Sequence, residues 1–243
     1  MRIAILNDIH GNLPALEAVL EEMGADPPDH VVVGGDLAPG PMCGACLDAL
    51  RALPMPVHFI VGNGDADVLS AHRGEMPERV PEPFRDVVAW VAGDLTDAQR
   101  TEMAAWPLTH RMDVPNLGSV LFCHATPRGD NEIFTELTPE ERLLPVFEPL
   151  EAALVVVGHT HMQFARPVGY TWVVNAGSVG MPFGPPGAYW AMIEKGEVDL
   201  RRTKYDLDAA DERIRATDYP SEFEVKSPPS DADMLSVLEG HAL

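Results

Sequence analysis

Arg2-Ile3-Ala4-Ile5-Leu6-Asn7-Asp8-Ile9-His10-Gly11-Asn12 is the stretch from which the rest of the chain is read. Its first half is a continuous apolar run with two isoleucines and no breaker, the pattern of a short strand buried on both faces. The polar residues that follow come abruptly. Asp8 and His10 are two apart, so an extended backbone would project both from one side. They stand at the strand's carboxyl end, where open α/β sheets place ligands. A carboxylate beside an imidazole suits a divalent metal such as Mn, Fe, Ni or Zn.

Working outward, Asn12 is placed to cap a helix over 13–24, with Pro14 in its first turn and Leu13, Leu16, Val19, Leu20 and Met23 at helical spacing. Gly24 and Pro27-Pro28 end it. His30–Val33 is a second apolar strand, running into Gly34-Gly35-Asp36. Strand, helix, strand with short connections is a βαβ unit with parallel strands, so Asp36 emerges beside Asp8 and His10.

The pattern then repeats. A helix over 43–53 precedes a strand at 57–61 that runs into Gly62-Asn63-Gly64-Asp65. Val120–Cys123 ends at His124, and Leu154–Val157 ends at Gly158-His159-Thr160-His161. Residues 66–118 read as a helical excursion near one edge of the site, with helices over 84–92 and from a Thr96/Gln99 capping box to Trp106. Pro139 opens a helix over 139–148. The later segments 164–168, 170–174, 188–193 and 198–205 read as hairpins, the second ending at Asn175-Ala176-Gly177-Ser178. Residues 206–243 form an acidic, proline-broken arm packed across the domain, with a helical pattern near 208–216.

Composition narrows the function classes. With 243 residues and 46% hydrophobic content, the chain has enough apolar material for one large domain, here 1–205, plus the arm. A net charge of −21 disfavours long nucleic acids, whose affinity comes largely from Lys and Arg on phosphates, but not a small phosphate ester bound through metal ions. No segment approaches a membrane span and no secretory leader is recognisable, so a cytoplasmic location is expected. Three cysteines make no disulfide framework. Cys43-Gly44-Ala45-Cys46 lacks a second CxxC and reads as small residues at a helix start.

The polar strand ends are Asp8, His10, Asp36, Asn63, His124, His159 and His161. Buried ionisable groups are costly unless paired or metal-bound. This set is too large for one tetrahedral ion and suits two ions sharing a carboxylate. Asp8-x-His10, Gly35-Asp36, Gly62-Asn63-x-Asp65, His124 and Gly158-His159-x-His161, in this order, resemble the calcineurin-like metallophosphoesterases. The Asp8–Asn12 stretch with Asn175–Gly180 resembles more specifically their small bacterial and archaeal phosphodiesterase branch. The likeness spans about 1–205. It implies an α/β fold of four layers, an α/β/β/α sandwich of two mixed β-sheets. It assigns Asp8, His10 and His161 to one ion, Asn63, His124 and His159 to the other, and Asp36 to both. It also implies a di-metal phosphoesterase, with a phosphodiesterase acting on a small or nucleotide-derived ester as the leading expectation. A hydroxide held between two divalent transition-metal ions, manganese favoured, would attack phosphorus.

Many relatives carry a histidine after the asparagine, where it contacts substrate and can protonate the leaving group; this chain has Gly64. That shifts the expectation from monoesters to diesters. His72 reads as an exposed helical histidine rather than its replacement. Asn12 and Arg128 are candidate phosphate contacts, with a surface salt bridge the alternative for Arg128. Asp65 either orients a ligand imidazole or stabilises its turn, and Asn175 and Ser178 brace the site. The competing readings are a phosphomonoesterase or dinucleoside polyphosphate hydrolase, and a non-catalytic binding scaffold on the same fold. Oligomeric state is not legible.

Overall fold

In the computed structural model, which describes residues 1–243, the apolar run at the front is β1 (Arg2–Leu6) and Asn12 caps α1 (Leu13–Gly24). The order continues with β2 (His30–Val33), α2 (Cys43–Arg51), β3 (Val57–Phe59), α3 (Asn63–His72), α4 (Arg85–Asp94) and α5 (Asp97–Met103). Next come β4 (Thr109–Val114), β5 (Gly118–Cys123), α6 (Glu140–Phe147) and β6 (Leu154–Val157). The chain closes with β7 (Phe164–Val168), β8 (Thr171–Asn175), β9 (Ala188–Glu194), β10 (Glu197–Thr203), α7 (Leu207–Arg215) and α8 (Asp231–Glu239).

Two five-stranded mixed sheets result, ordered β10-β9-β1-β2-β3 and β4-β5-β6-β8-β7. β1 runs parallel to β2, with Ile3 opposite His30 and Leu6 opposite Val33, and β2 runs parallel to β3. In the second sheet β5, β6 and β8 are parallel. The parallel strands therefore deliver their carboxyl ends, and the polar residues there, to one rim.

Side-chain alternation sorts the core into layers. Ile3, Ile5 and Val32 point between the sheets and meet Val120, Phe122, Leu154, Val156 and Val174. Ala4, Leu6, Val31 and Val33 point the other way, onto Leu16, Val19, Leu47 and Leu50 of α1 and α2. Leu121, Val155 and Val157 face Leu143, Val146 and Phe147 of α6. The outcome is the four-layer α/β/β/α sandwich. Cys43 and Cys46 sit in the helix-side core with free thiols pushed up by burial, so they serve packing.

Four elements differ from the sequence reading. The excursion ends before β4, a strand within the 66–118 stretch. Thr109-His110-Arg111-Met112-Asp113 alternates exposure and lies on a sheet edge, so it lacks the apolar run of a central strand. The strand read over 57–61 stops at Phe59, and the Gly62–Asp65 stretch that follows it is the start of a helix, α3, with Gly62 at its N-cap. Pro139 caps α6 from outside instead of starting it. The arm holds a second helix, α8, whose Glu239 accepts hydrogen bonds from Thr135 and, at 2.8 Å, Thr138. α7 lies against α1 through the Arg213–Glu17 pair.

Candidate metal centre

The rim loops do not continue the strands in extended form. Asp8, His10, Asp36, His159 and His161 all have left-handed backbones, with φ of 52°, 45°, 51°, 67° and 59°. Non-glycine residues avoid this region because Cβ crowds the carbonyl, at a cost of order 1–3 kcal/mol each. Asp8 and His10 thus converge by successive kinks and not by the two-residue period of a strand. Backbone bonds between the loops hold the kinks: Asp8 N donates to Gly35 O at 3.0 Å, His10 N to Asp36 O at 3.0 Å, and Gly180 N to Asp8 O at 3.0 Å.

The structure brings all seven polar strand ends together. On one side His10 Nε2 is 3.1 Å from His161 Nε2, which is 3.3 Å from Asp8 Oδ1. On the other, the Asn63 side-chain amide lies 3.0 Å from His124 Nε2 and 2.9 Å from His159 Nδ1. Asp36 Oδ2 stands between the groups, 3.8 Å from His10 Nε2 and 3.5 Å from His124 Nε2. Its other oxygen accepts from Gly64 N at 2.7 Å, which fixes the carboxylate plane. The N-terminus of α3 favours the negative charge there.

Three of the rings are aimed by backbone carbonyls. Nδ1 of His10 donates to Pro39 O at 3.1 Å, of His124 to Gly34 O at 3.0 Å and of His161 to Met181 O at 2.6 Å. A carbonyl only accepts, so each Nδ1 carries its proton and each Nε2 turns inward. His159 N donates to Asp8 Oδ2 at 2.9 Å and ties the two halves together. Asn175 Nδ2 donates to Gly158 O at 2.6 Å and Ser178 Oγ to Asp8 O at 2.7 Å, so both fasten the loops from behind.

Electrostatics follow from burial and mutual contact. Burial alone would raise Asp36, but the imidazole of His124, with His10 behind it, holds it well below the usual carboxylate range. Burial would lower His124, yet Asp36 and Asp8 push it to about 10; Asp8 raises His161 in the same way. Burial and neighbouring His124 press His159 down to about 4. Protons on His124 and His161 are what an incoming cation displaces.

The donor set fits divalent ions. Asp8 Oδ1 is buried with no hydrogen-bond donor, and Asp8, His10 and His161 present ligand atoms within 4.8 Å of one another, as do Asp8, Asp36 and His124. The Asn63 oxygen faces two ring nitrogens, whereas the amide turned end for end would donate to both. Once the protons on His124 and His161 are displaced, the carboxylate, amide and imidazole electron pairs converge without a donor among them, which is what a cation satisfies.

Other candidates sit elsewhere. Asn12 is wholly buried, accepts from Ala15 N as the cap of α1 and donates to Gly180 O at 2.9 Å, so its polar atoms have structural partners. Arg128 pairs with Glu132 at 2.6 Å on the surface and does not line the cavity. Asp65 orients no ring; its oxygens accept from the amides of Asp36, Ala38 and Gly62 and staple β2's loop to α3. His72 is exposed at the end of α3. Sequence reasoning missed Arg79, which reaches Asn63 O at 3.2 Å and Asp67 Oδ1 at 2.8 Å. It also missed the cavity's apolar side, built by Val80, Phe84 and Val87 with Tyr219 and Phe223 from the arm. Its only signal was aromatic residues in otherwise polar segments.

Gly64 has a geometric cause. A Cβ there would stand 2.4 Å from Ala38 O and 2.6 Å from Pro39 Cδ, so any side chain at 64 collides with the loop after Asp36. Gly62 likewise leaves room for Asp36, whose Oδ1 would lie 2.2 Å from an added Cβ.

The profile of the calcineurin-like phosphoesterase superfamily domain matches residues 1–196. An uncharacterized protein of Methanocaldococcus jannaschii, MJ0912, is 26% identical over 231 residues, covering 87% of this chain and 91% of that protein. The crystal structure of a metallophosphoesterase from Sphaerobacter thermophilus superposes with a TM-score of 0.67 at 25% identity, covering 88% of this chain and 93% of the other. That of the hypothetical protein PH1004 from Pyrococcus horikoshii OT3 gives 0.77 at 18% identity over 98% and 97% of the two chains, a likeness of fold.

Proposed function

Since the chain belongs to the calcineurin-like phosphoesterase superfamily, a family of metal-dependent hydrolases, we propose that it is a di-metal phosphodiesterase acting on a small or nucleotide-derived ester. The observation carrying this reading is the position of Asp36 Oδ2, within 3.8 Å of His10 Nε2 and 3.5 Å of His124 Nε2. Asp36 would be shared by two ions, with Asp8, His10 and His161 holding one and Asn63, His124 and His159 the other. Manganese suits the mixed oxygen and imidazole donors, as do iron, nickel and zinc. Held there, such ions would supply the acidity that deprotonates a water near neutral pH and the positive charge that offsets charge growing on the phosphoryl oxygens.

The chain's own part is positioning. Backbone carbonyls keep the rings turned inward, and the buried carboxylates hold their charge where cations bind. Hydrolysis places water's oxygen on phosphorus, breaks the P–O bond to the leaving alcohol and returns a proton to that alcohol. The blocked Cβ space at Gly64 denies an acid at that position, which favours diesters with competent leaving groups. The net charge of −21 supports a small substrate over a long nucleic acid, and three buried free thiols agree with a cytoplasmic location. No helix is long and apolar enough to cross a membrane.

The test is hydrolysis of bis-p-nitrophenyl phosphate against p-nitrophenyl phosphate by Mn²⁺-reconstituted protein. Diester preference that vanishes in Asp36→Asn is expected. A monoester preference would mean another group protonates the leaving oxygen. Two bound metals without turnover of either ester would favour the scaffold reading.

A further inference from the structure

The cavity beside the metal centre, about 390 Å³, is polar on its floor and apolar on its far wall. That volume lies at the small end of ligand pockets, which run roughly 300–1,000 Å³. Phe84, in the one-turn helix Glu82–Phe84 ahead of α4, is 58% exposed although it lines the cavity. An exposed ring in a concave site is available for contact. Val80 and Val87 flank it, and Phe223 closes the wall from the arm.

The aromatic wall is supported from behind. Phe223 packs with Ile214, Val225 and Met42, while Tyr219 sets its ring edge-on to Trp90 at 5.6 Å. The arm therefore presents a fixed surface, and it lies beyond residue 196, where the family match ends.

Charge decides what that wall is for. Arg79 is the one Lys or Arg lining the cavity, and its guanidinium meets Asp67 Oδ1 at 2.8 Å and Asp130 Oδ1 at 3.1 Å. Two carboxylates outweigh one cation, and Glu222 adds a further negative charge to the lining. A second phosphate placed here would meet no free cation and two or more anions, whereas an uncharged flat ring would find apolar contact.

Resting on the phosphodiesterase reading, we propose that the Phe84–Val87–Phe223 wall binds a planar ring carried by the substrate, so that the preferred class is a singly charged phosphodiester bearing an aryl or nucleobase group. Arg79 is a positioning residue that holds the Asn63 carbonyl and is not a phosphate clamp. Dinucleoside polyphosphates, with several charges between their rings, are disfavoured.

The experiment is calorimetric binding of diphenyl phosphate and diethyl phosphate to the full-length Mn²⁺-loaded protein, two diesters of equal charge that differ in the ring. Diphenyl phosphate is expected to bind about tenfold more tightly, the scale of burying part of an aromatic ring. Phe84→Ala, at an exposed position that the fold does not need, is expected to shrink the ratio to about threefold or less; Val87→Ser is the second variant. Equal affinities in the wild type, or a ratio unchanged in both variants, overturn the proposal. Bis-p-nitrophenyl phosphate turnover in the same preparation separates the two readings. Turnover without ring preference removes the wall's role alone, and ring preference without turnover removes the catalytic reading and leaves a ligand site.

Discussion

The floor and the far wall of the cavity are built on opposite terms. The floor gathers buried charged groups on left-handed backbone, five of its seven side chains at φ between 45° and 67°, each cross-tied to a neighbouring loop or ring. The wall is made of rings and β-branched side chains on a short helix, the start of α4 and the arm, all in ordinary geometry; Val80, Val87 and Phe223 are buried and Phe84 is open to solvent. Strained, desolvated groups persist only where the surroundings over-determine them, so the floor tolerates almost no change. The wall is held by packing and a few local hydrogen bonds, Val80 N to Pro77 O and Phe84 N to Pro81 O among them. The Phe84 side chain makes none to the polar floor, so its change is expected to leave the floor intact. On the proposed reading, one region would supply reactivity and the other choice.

The sharpest way to break this contrast is Asp36→Asn. Hydrolysis is expected to fall by about a thousandfold or more, since the change removes the carboxylate charge of the residue that stands between His10 and His124. Metal addition to the wild type should raise the melting temperature, by about 2.7 kcal/mol of stabilisation at a hundredfold excess over Kd. That is roughly 5–10 °C for a chain of this size, measured by calorimetry, and the variant should lose most of it. A full metal-induced rise in Asp36→Asn would show that the floor does not act through Asp36.

Gly64→Ala comes next. With backbone and proline atoms within 2.6 Å of the added Cβ, a loss of about 1–3 kcal/mol or more is expected in urea unfolding. No loss would mean that the loop after Asp36 yields easily, and the argument from a closed position would fail. Asn12→Ala should cost about 1–2 kcal/mol by uncapping α1 and orphaning Gly180 O, with KM for a diester unchanged. A large KM effect would return Asn12 to the substrate. The smallest effect belongs to Arg128→Ala, within about 0.5 kcal/mol in stability and without change in KM, because its exposed pair with Glu132 is screened by water.

Legibility in the sequence followed packing. β1, β2, β5 and β6 are largely buried, so their apolar runs stood out in the sequence. The short connections of β1 and β2 also marked them as parallel, which placed Asp36 beside Asp8 and His10, whereas the parallel pairing of β5 and β6 is a finding of the structure. β4 was hidden because an edge strand carries His110, Arg111 and Asp113 in its alternation. Arg79 and Arg128 are both arginines in loops, and nothing local distinguishes them. Arg128 finds Glu132 four residues away, whereas Arg79 meets carboxylates twelve and fifty-one residues distant only once the chain has folded.

What the sequence by itself determined is therefore the identity of the seven polar strand ends and the opening βαβ unit, because hydrophobic period and short connections are local properties with a global consequence; the layer order came with the likeness that their motifs carry. The tertiary structure alone decided how those side chains converge, through left-handed kinks that only inter-loop hydrogen bonds can stabilise. It also decided why position 64 admits no side chain and which distant rings face the site, since both depend on the close approach of segments far apart in the chain.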